Sequence, residues 1–135
     1  MRHGQVALEY LVIISIALLL SSPLIVQAQE SSQSLQDSYQ NGLAKNALNN
    51  IEEAAALVNA QGPPAKVTFS IRLPDRIIAT NVSGSQIMIR REVGAGSTTF
   101  RNTMSFTVNG SLPTTGGVHT MVAEAEPSYV NITPQ

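Results

Sequence analysis

The sequence predicts an α+β fold, with a long N-terminal α-helix followed by a small antiparallel β-sheet or sandwich head domain. Two patterns support this prediction. Residues 6–26 form an apolar run, and residues 27–60 continue as an amphipathic helical pattern. From residue 65 onward, apolar and polar residues alternate in short runs separated by turn-forming residues. We therefore expect a helix over residues 5–61 and a β-rich head domain over residues 65–135.

The apolar run 6–26 is long enough to cross a bilayer, because a helix rises about 1.5 Å per residue and the hydrocarbon layer is about 30 Å thick. The basic residues Arg2 and His3 precede it, which predicts a cytoplasmic N-terminus and an outward-facing head. An ordinary secretory signal is an alternative, with cleavage after Ala28 at the small-x-small pattern Val26-Gln27-Ala28. The acidic Glu9 argues against that alternative.

A more specific pattern lies at the start of this run. The string Gly4-Gln5-Val6-Ala7-Leu8-Glu9-Tyr10-Leu11 closely resembles the class III signal of archaeal type IV pilins. The resemblance covers only the beginning of the chain, and its leader carries fewer basic residues than many relatives. It implies that a prepilin peptidase cuts between Gly4 and Gln5 and removes residues 1–4. Archaellins generally lack the Glu-Tyr-Leu element, so the resemblance favours an adhesive pilus over a swimming filament.

The resemblance also implies that Gln5, Glu9, Tyr10 and Leu11 determine assembly. A charged side chain in the bilayer centre costs about 2.5–3.5 kcal/mol, so Glu9 requires a partner. Cleavage before Gln5 creates an α-amine that is largely protonated at neutral pH. We expect this amine on one subunit to meet Glu9 on another. The implied partners are other copies of this chain in a helical homopolymer, the prepilin peptidase, an assembly ATPase, a membrane platform protein, and the membrane before assembly.

The helix has three further features. Pro23 predicts a kink, because proline removes one helical hydrogen bond. The helix is expected to end at Gln61-Gly62-Pro63-Pro64. Its polar half carries an apolar stripe that is expected to complete the core of the head, and this stripe consists of Leu35, Tyr39, Leu43, Ala47, Ile51, Ala55 and Val58.

Six short strands are predicted in the head, over residues 67–73, 76–82, 86–93, 99–108, 118–125 and 129–132. Residues that tolerate positive φ separate several of them. These predicted turns are Ser83-Gly84-Ser85, Gly94-Ala95-Gly96, Asn109-Gly110 and Gly116-Gly117. A sandwich, or a curled sheet packed on the amphipathic part of the helix (residues 27–60), satisfies this pattern.

Three Asn-x-Ser/Thr sequons, at Asn81, Asn109 and Asn131, are candidate N-glycosylation sites. All three lie in the β region, in or beside predicted turns or strand ends. The competing interpretation is that Asn81 and Asn109 are simply turn residues, which asparagine suits. Apart from such N-linked glycans, no cofactor is expected.

Catalytic and metal-binding residues are not predicted. The chain has no cysteine, and its net charge of −1 with scattered basic residues argues against nucleic-acid binding. His119 is interpreted as a structural or surface imidazole, Glu124 and Glu126 as a solvated edge, and Arg90-Arg91-Glu92 as exposed strand surface. We therefore do not expect an enzyme.

These expectations combine into a structural subunit of an archaeal type IV-like adhesive pilus, located at the cell surface. Its precursor would lie in the cytoplasmic membrane with the N-terminus inside. Two alternatives remain open: a minor pilin or pseudopilin-like component, and a secreted or membrane-anchored binding module that uses the β domain.

Overall fold

The structure is a computed structural model that describes the backbone of residues 2–135 and the side chains of residues 4–135. Its elements are α1 (Arg2–Gln61), β1 (Lys66–Leu73), β2 (Ile77–Val93), β3 (Gly96–Gly110), β4 (Gly117–Ala125) and β5 (Val130–Pro134). The predicted α+β fold is confirmed. The predicted leader 1–4 begins at Met1, which lies outside the described residues. Two compact units make up the chain, divided between Asp37 and Ser38.

The first unit is the N-terminal part of α1. Every described side chain from Gly4 to Gln36 is exposed. The helix is long and apolar enough to cross a membrane, judged by length and composition. Pro23 lies inside it, and the helix continues on both sides of the proline. The predicted kink at this residue stays a prediction.

The second unit, Ser38–Gln135, holds one five-stranded mixed sheet in the order β1-β4-β5-β3-β2. Three of its strand pairs are antiparallel, as expected from the sequence. The fourth, β3 with β5, is parallel and consists of Val108↔Val130, Asn109↔Asn131 and Gly110↔Ile132. Since β3 and β4 run in opposite directions, a strand inserted between them must be parallel to one of the two.

The core of this unit lies between one face of the sheet and the last turns of α1. Small alanines alternate with larger side chains on the buried face of the helix, which is formed by Ala44, Ala47, Leu48, Ile51, Ala54, Ala55 and Val58. Their spacing of three and four residues gives one continuous apolar face. The buried sheet residues include Ile71, Leu73, Ile87, Ile89, Val108, Met121, Ala123, Val130 and Ile132.

The predicted apolar stripe is only partly correct. Ala47, Ile51, Ala55 and Val58 are buried and Leu43 is half-buried, whereas Leu35 and Tyr39 are 70% and 57% exposed. The buried face instead begins at Ala44 and includes Leu48 and Ala54. Spacing alone predicted which face is apolar, but it did not predict where the sheet begins to cover that face.

The strand pattern differs from the prediction at two turns. Ser83-Gly84-Ser85 lies inside β2, which joins two predicted strands into one. The pairing of β2 with β3 shifts in register between Gly84 and Gln86, and Gly84 has φ 64°. Asn109-Gly110 is the end of β3 rather than a turn. Turn-forming residues therefore marked a register shift and a strand end at these positions.

Polar contacts join the helix of the second unit to the loop between β1 and β2 and to β3. The Gln40 amide donates to Asp75 Oδ2 at 3.3 Å, and the Asp75 main-chain N–H donates to Gln40 Oε1 at 2.9 Å. The Asn102 Nδ2 group donates to Asn49 Oδ1 at 3.1 Å and to Glu52 Oε2 at 2.7 Å. These hydrogen bonds favour one orientation of the helix about its own axis relative to the sheet.

Candidate functional site: the apolar helix and the outer face of the sheet

The apolar segment 6–26 exposes almost all of its large side chains. Their exposed fractions lie between 46% for Val12 and 75% for Leu19. Contiguous apolar surfaces of this extent are rare on monomeric soluble proteins and mark sites that bind a membrane or another protein. The segment is therefore compatible with membrane anchoring, with a signal sequence or with a pilin-like helix.

Glu9 is the only charged residue between Gly4 and Val26. It lies four residues after Gln5 within α1, so the two residues share one face of the helix. Tyr10 and Leu11, the other predicted assembly residues, are 66% and 67% exposed. All four therefore lie within two helical turns and are accessible to a partner.

The hydroxyl groups of Ser15 and Ser21 in this segment hydrogen-bond to carbonyl groups of their own helix. Ser15 Oγ donates to the Leu11 carbonyl at 2.7 Å, and Ser21 Oγ donates to the Ala17 carbonyl at 2.7 Å. Such bonds to the preceding turn remove the cost of placing an unpaired hydroxyl in an apolar environment. Ser15 and Ser21 therefore do not oppose burial of this helix in lipid or in a protein bundle.

The second unit contains a groove of about 450 Å³ between α1 and the edge strand β1. Apolar side chains and polar groups both line it, namely Asn50, Glu53, Ala54, Leu57, Phe69 and Ser70. Leu57 is 49% exposed. This arrangement can accept an apolar side chain, with the Glu53 carboxylate available to a cation on the same ligand.

All three sequon asparagines lie in strands. Asn81 on β2 and Asn109 on β3 are exposed, whereas Asn131 on β5 is half-buried. Asn109 and Asn131 are register partners, so both point to the outer face of the sheet, opposite the core. The location in the β region agrees with the sequence, but the turn interpretation of Asn81 does not hold.

The remaining polar candidates have ordinary structural contacts. The ring nitrogen Nε2 of His119 hydrogen-bonds to the Thr115 carbonyl at 2.8 Å. Glu124 pairs with Lys66 across neighbouring strands at 3.5 Å between Oε2 and Nζ. Among residues 4–135, no group of three His, Cys, Asp or Glu side chains is arranged to hold a metal ion.

Arg91 corrects the interpretation of Arg90-Arg91-Glu92 as exposed strand surface. Arg90 and Glu92 are exposed, but Arg91 is only 2% exposed, and its Nη1 group donates to Asn41 Oδ1 on α1 at 2.7 Å. The period-two alternation with Ile87 and Ile89 contains this information, because it places Arg91 on the inward face. The charge of Arg91, taken alone, suggested an exposed side chain.

No protein-family model, curated protein or solved structure matches this chain.

Proposed function

We propose that this chain is a structural subunit of an archaeal type IV-like adhesive pilus. The proposal rests on the resemblance of residues 4–11 to the class III signal of that family. One structural observation supports it most: an apolar helix with exposed side chains and a single carboxylate, Glu9, one turn after Gln5. In this proposal the membrane holds the subunit only until assembly.

Burial of the apolar segment stabilises the polymer against dissociation into water. Each square ångström of apolar helix surface that the bundle keeps out of water contributes about 25 cal/mol, and every subunit adds many such contacts. The Glu9 carboxylate of one subunit pairs with the new α-amine at Gln5 of another. This pair neutralises both charges inside the bundle and fixes the axial register between helices.

The outer face of the sheet remains in water in this arrangement. Its residues on β1 and β3 are mostly hydroxyl-bearing or charged, as the alternation of the two strands requires. N-linked glycans at Asn81, Asn109 or Asn131 would extend from the strands into solvent. In this proposal the head thus provides the adhesive surface that can carry glycans, and the apolar helix forms the interior of the filament.

Shearing surface material from the source cells and imaging it by electron microscopy tests this proposal. The expected result is thin filaments whose principal small protein is this chain. Filaments that contain the chain only in trace amounts would instead favour a minor pilin or pseudopilin-like component. Absence of the chain from every surface filament would contradict the proposal.

A binding module is the second candidate, and the groove between α1 and β1 favours it. The groove is large enough for one small apolar group, and Glu53 provides charge recognition. In this case the apolar helix would be an anchor or a removed signal. Recovery of the chain as a monomer, bound to a carbohydrate or protein ligand through this groove, would support the binding module over the filament.

A further inference from the structure

Two Asn-Gly dipeptides occur in the chain, Asn41-Gly42 and Asn109-Gly110. This dipeptide is prone to succinimide formation, in which the glycine nitrogen attacks the preceding carboxamide. Glycine favours the reaction because it has no side chain to hinder the approach and few restrictions on its backbone. Both dipeptides would react similarly in an unfolded chain, so any difference in the folded protein must come from their surroundings.

The surroundings of Asn109 favour attack. Its side chain is exposed, and its Oδ1 accepts a hydrogen bond from the Gly110 main-chain N–H at 2.8 Å. The attacking nitrogen therefore already lies beside the carboxamide that it would attack. Gly110 has φ 139°, and an added Cβ there would collide with the main chain of Ile132. Glycine is therefore the only residue that this backbone accepts.

The surroundings of Asn41 oppose attack. Asn41 and Gly42 lie inside α1, where main-chain N–H groups are engaged in the helical hydrogen-bond ladder. The Asn41 side chain is half-buried, and its Oδ1 accepts a hydrogen bond from Arg91 at 2.7 Å. Asn41-Gly42 is thus held in place by the hydrogen bonds of the helix backbone and by the contact of the Asn41 side chain with Arg91.

The other two sequon asparagines are also poor candidates. Asn81 precedes Val82 and Asn131 precedes Ile132, and both following residues are β-branched and buried in the core. A branched side chain hinders the approach of its own nitrogen to the preceding carboxamide. Among the sequons, only Asn109 combines exposure with a following glycine.

We propose that Asn109 is a site of selective succinimide formation and deamidation in the folded protein. The Gly110 nitrogen loses its proton and forms a bond to Asn109 Cγ. The bond between Cγ and Nδ2 breaks, and the side-chain nitrogen leaves as ammonia after taking up a proton. Water then opens the ring at either carbonyl, which gives aspartate or isoaspartate without any change of oxidation state.

The products alter the join between β3 and β5. Asn109↔Asn131 is the middle of the three residue pairs in this parallel ladder. Isoaspartate inserts one extra carbon into the β3 backbone, and aspartate places a negative charge beside Asn131. Asn131 is in turn the register partner of Glu124. Both products also remove the sequon, so the same carboxamide takes either a glycan or this chemical change.

Peptide mapping of the full-length chain tests the proposal. The chain is produced in a host without N-glycosylation, kept in detergent micelles at mildly alkaline pH, and compared with a sample in concentrated urea. In the folded sample we expect at least about tenfold more aspartate and isoaspartate at residue 109 than at residue 41, because the helix must open before Asn41 reacts. In urea the two sites should react at similar rates.

Two variants complete the design. Asn109→Gln should abolish the product at this position, and Ser111→Ala should retain it although the sequon is lost. Circular dichroism verifies that each variant is folded. Equal yields at residues 41 and 109 in the folded sample, or reaction at residue 109 only in urea, would overturn the proposal.

Discussion

At the scale of single residues, two glycines show how closely the backbone of the second unit is packed. A Cβ at Gly110 would meet the main chain of Ile132, and a Cβ at Gly116 would meet Asp75. Gly84 differs, because it has φ 64° but open space around its Cα. Gly110 is required by both its main-chain contact and its φ of 139°, whereas Gly84 is required only by its backbone conformation.

Replacement of Gly110 by alanine should therefore be the more damaging change. We expect Gly110→Ala to lower the free energy of unfolding of the head by about 3 kcal/mol or more, through overpacking and backbone strain together. Gly84→Ala should cost only about 1–2 kcal/mol, from the left-handed conformation alone. Urea denaturation followed by circular dichroism compares them. Equal losses would show that the contact with Ile132 is unimportant.

Ile51 tests the helix contribution to the core. It is fully buried, so Ile51→Ala should destabilise the head by about 2–5 kcal/mol through lost burial and a residual cavity. The matched control is Leu57→Ala on the same helix, at a side chain that is 49% exposed, with an expected loss of about 1 kcal/mol or less. A similar loss in both variants would contradict the assigned buried face.

At the scale of elements, local sequence patterns predicted the helix, most of the strands and their mainly antiparallel pairing, but not the parallel pair of β3 and β5. The end of α1 at Gln61 follows from Gly62 and Pro63, which act locally. The parallel pair of β3 and β5 is not visible in either strand, because pairing depends on which elements meet in three dimensions. The extent of helix covered by the sheet is non-local for the same reason, and this explains the exposed Leu35 and Tyr39.

The candidate site was likewise predicted only where it depends on residues that are consecutive in the sequence. The apolar run and its single Glu9 were evident from residue types in consecutive order. The groove beside β1 and the neighbouring positions of Asn109 and Asn131 require the register of the folded sheet. Arg91 is an intermediate case. Its alternation with Ile89 predicts an inward-facing side chain, but its charge favoured the prediction of an exposed one.

The bridge between Asn102 and α1 gives a test at this scale. Asn102→Ala removes two hydrogen bonds, to Asn49 and to Glu52, and should lower the free energy of unfolding by about 1 kcal/mol. Asn59→Ala changes an exposed asparagine on the same helix and should have little effect. Thermal unfolding measured in parallel distinguishes them, and an unchanged midpoint for Asn102→Ala would refute the bridging role.

At the scale of the whole molecule, the proposed filament makes Glu9 an assembly residue rather than a folding residue. Glu9→Gln should leave the stability of the head unchanged and reduce surface filaments at least about tenfold, since loss of one ion pair of about 1.4 kcal/mol already gives this factor. Glu30→Gln, in the polar part of the same helix, is the control and should assemble normally. Normal filament counts with Glu9→Gln, measured by electron microscopy, would remove Glu9 from the mechanism.

The mature N-terminus provides the most direct test of the proposed filament. Mass spectrometry of the chain in sheared surface filaments should find Gln5 as the first residue, with or without cyclisation of that glutamine. This result would mean that the apolar helix is retained and enters the polymer. A soluble, monomeric product that begins at Gln29 would contradict the account, because the proposed core of the filament would have been removed.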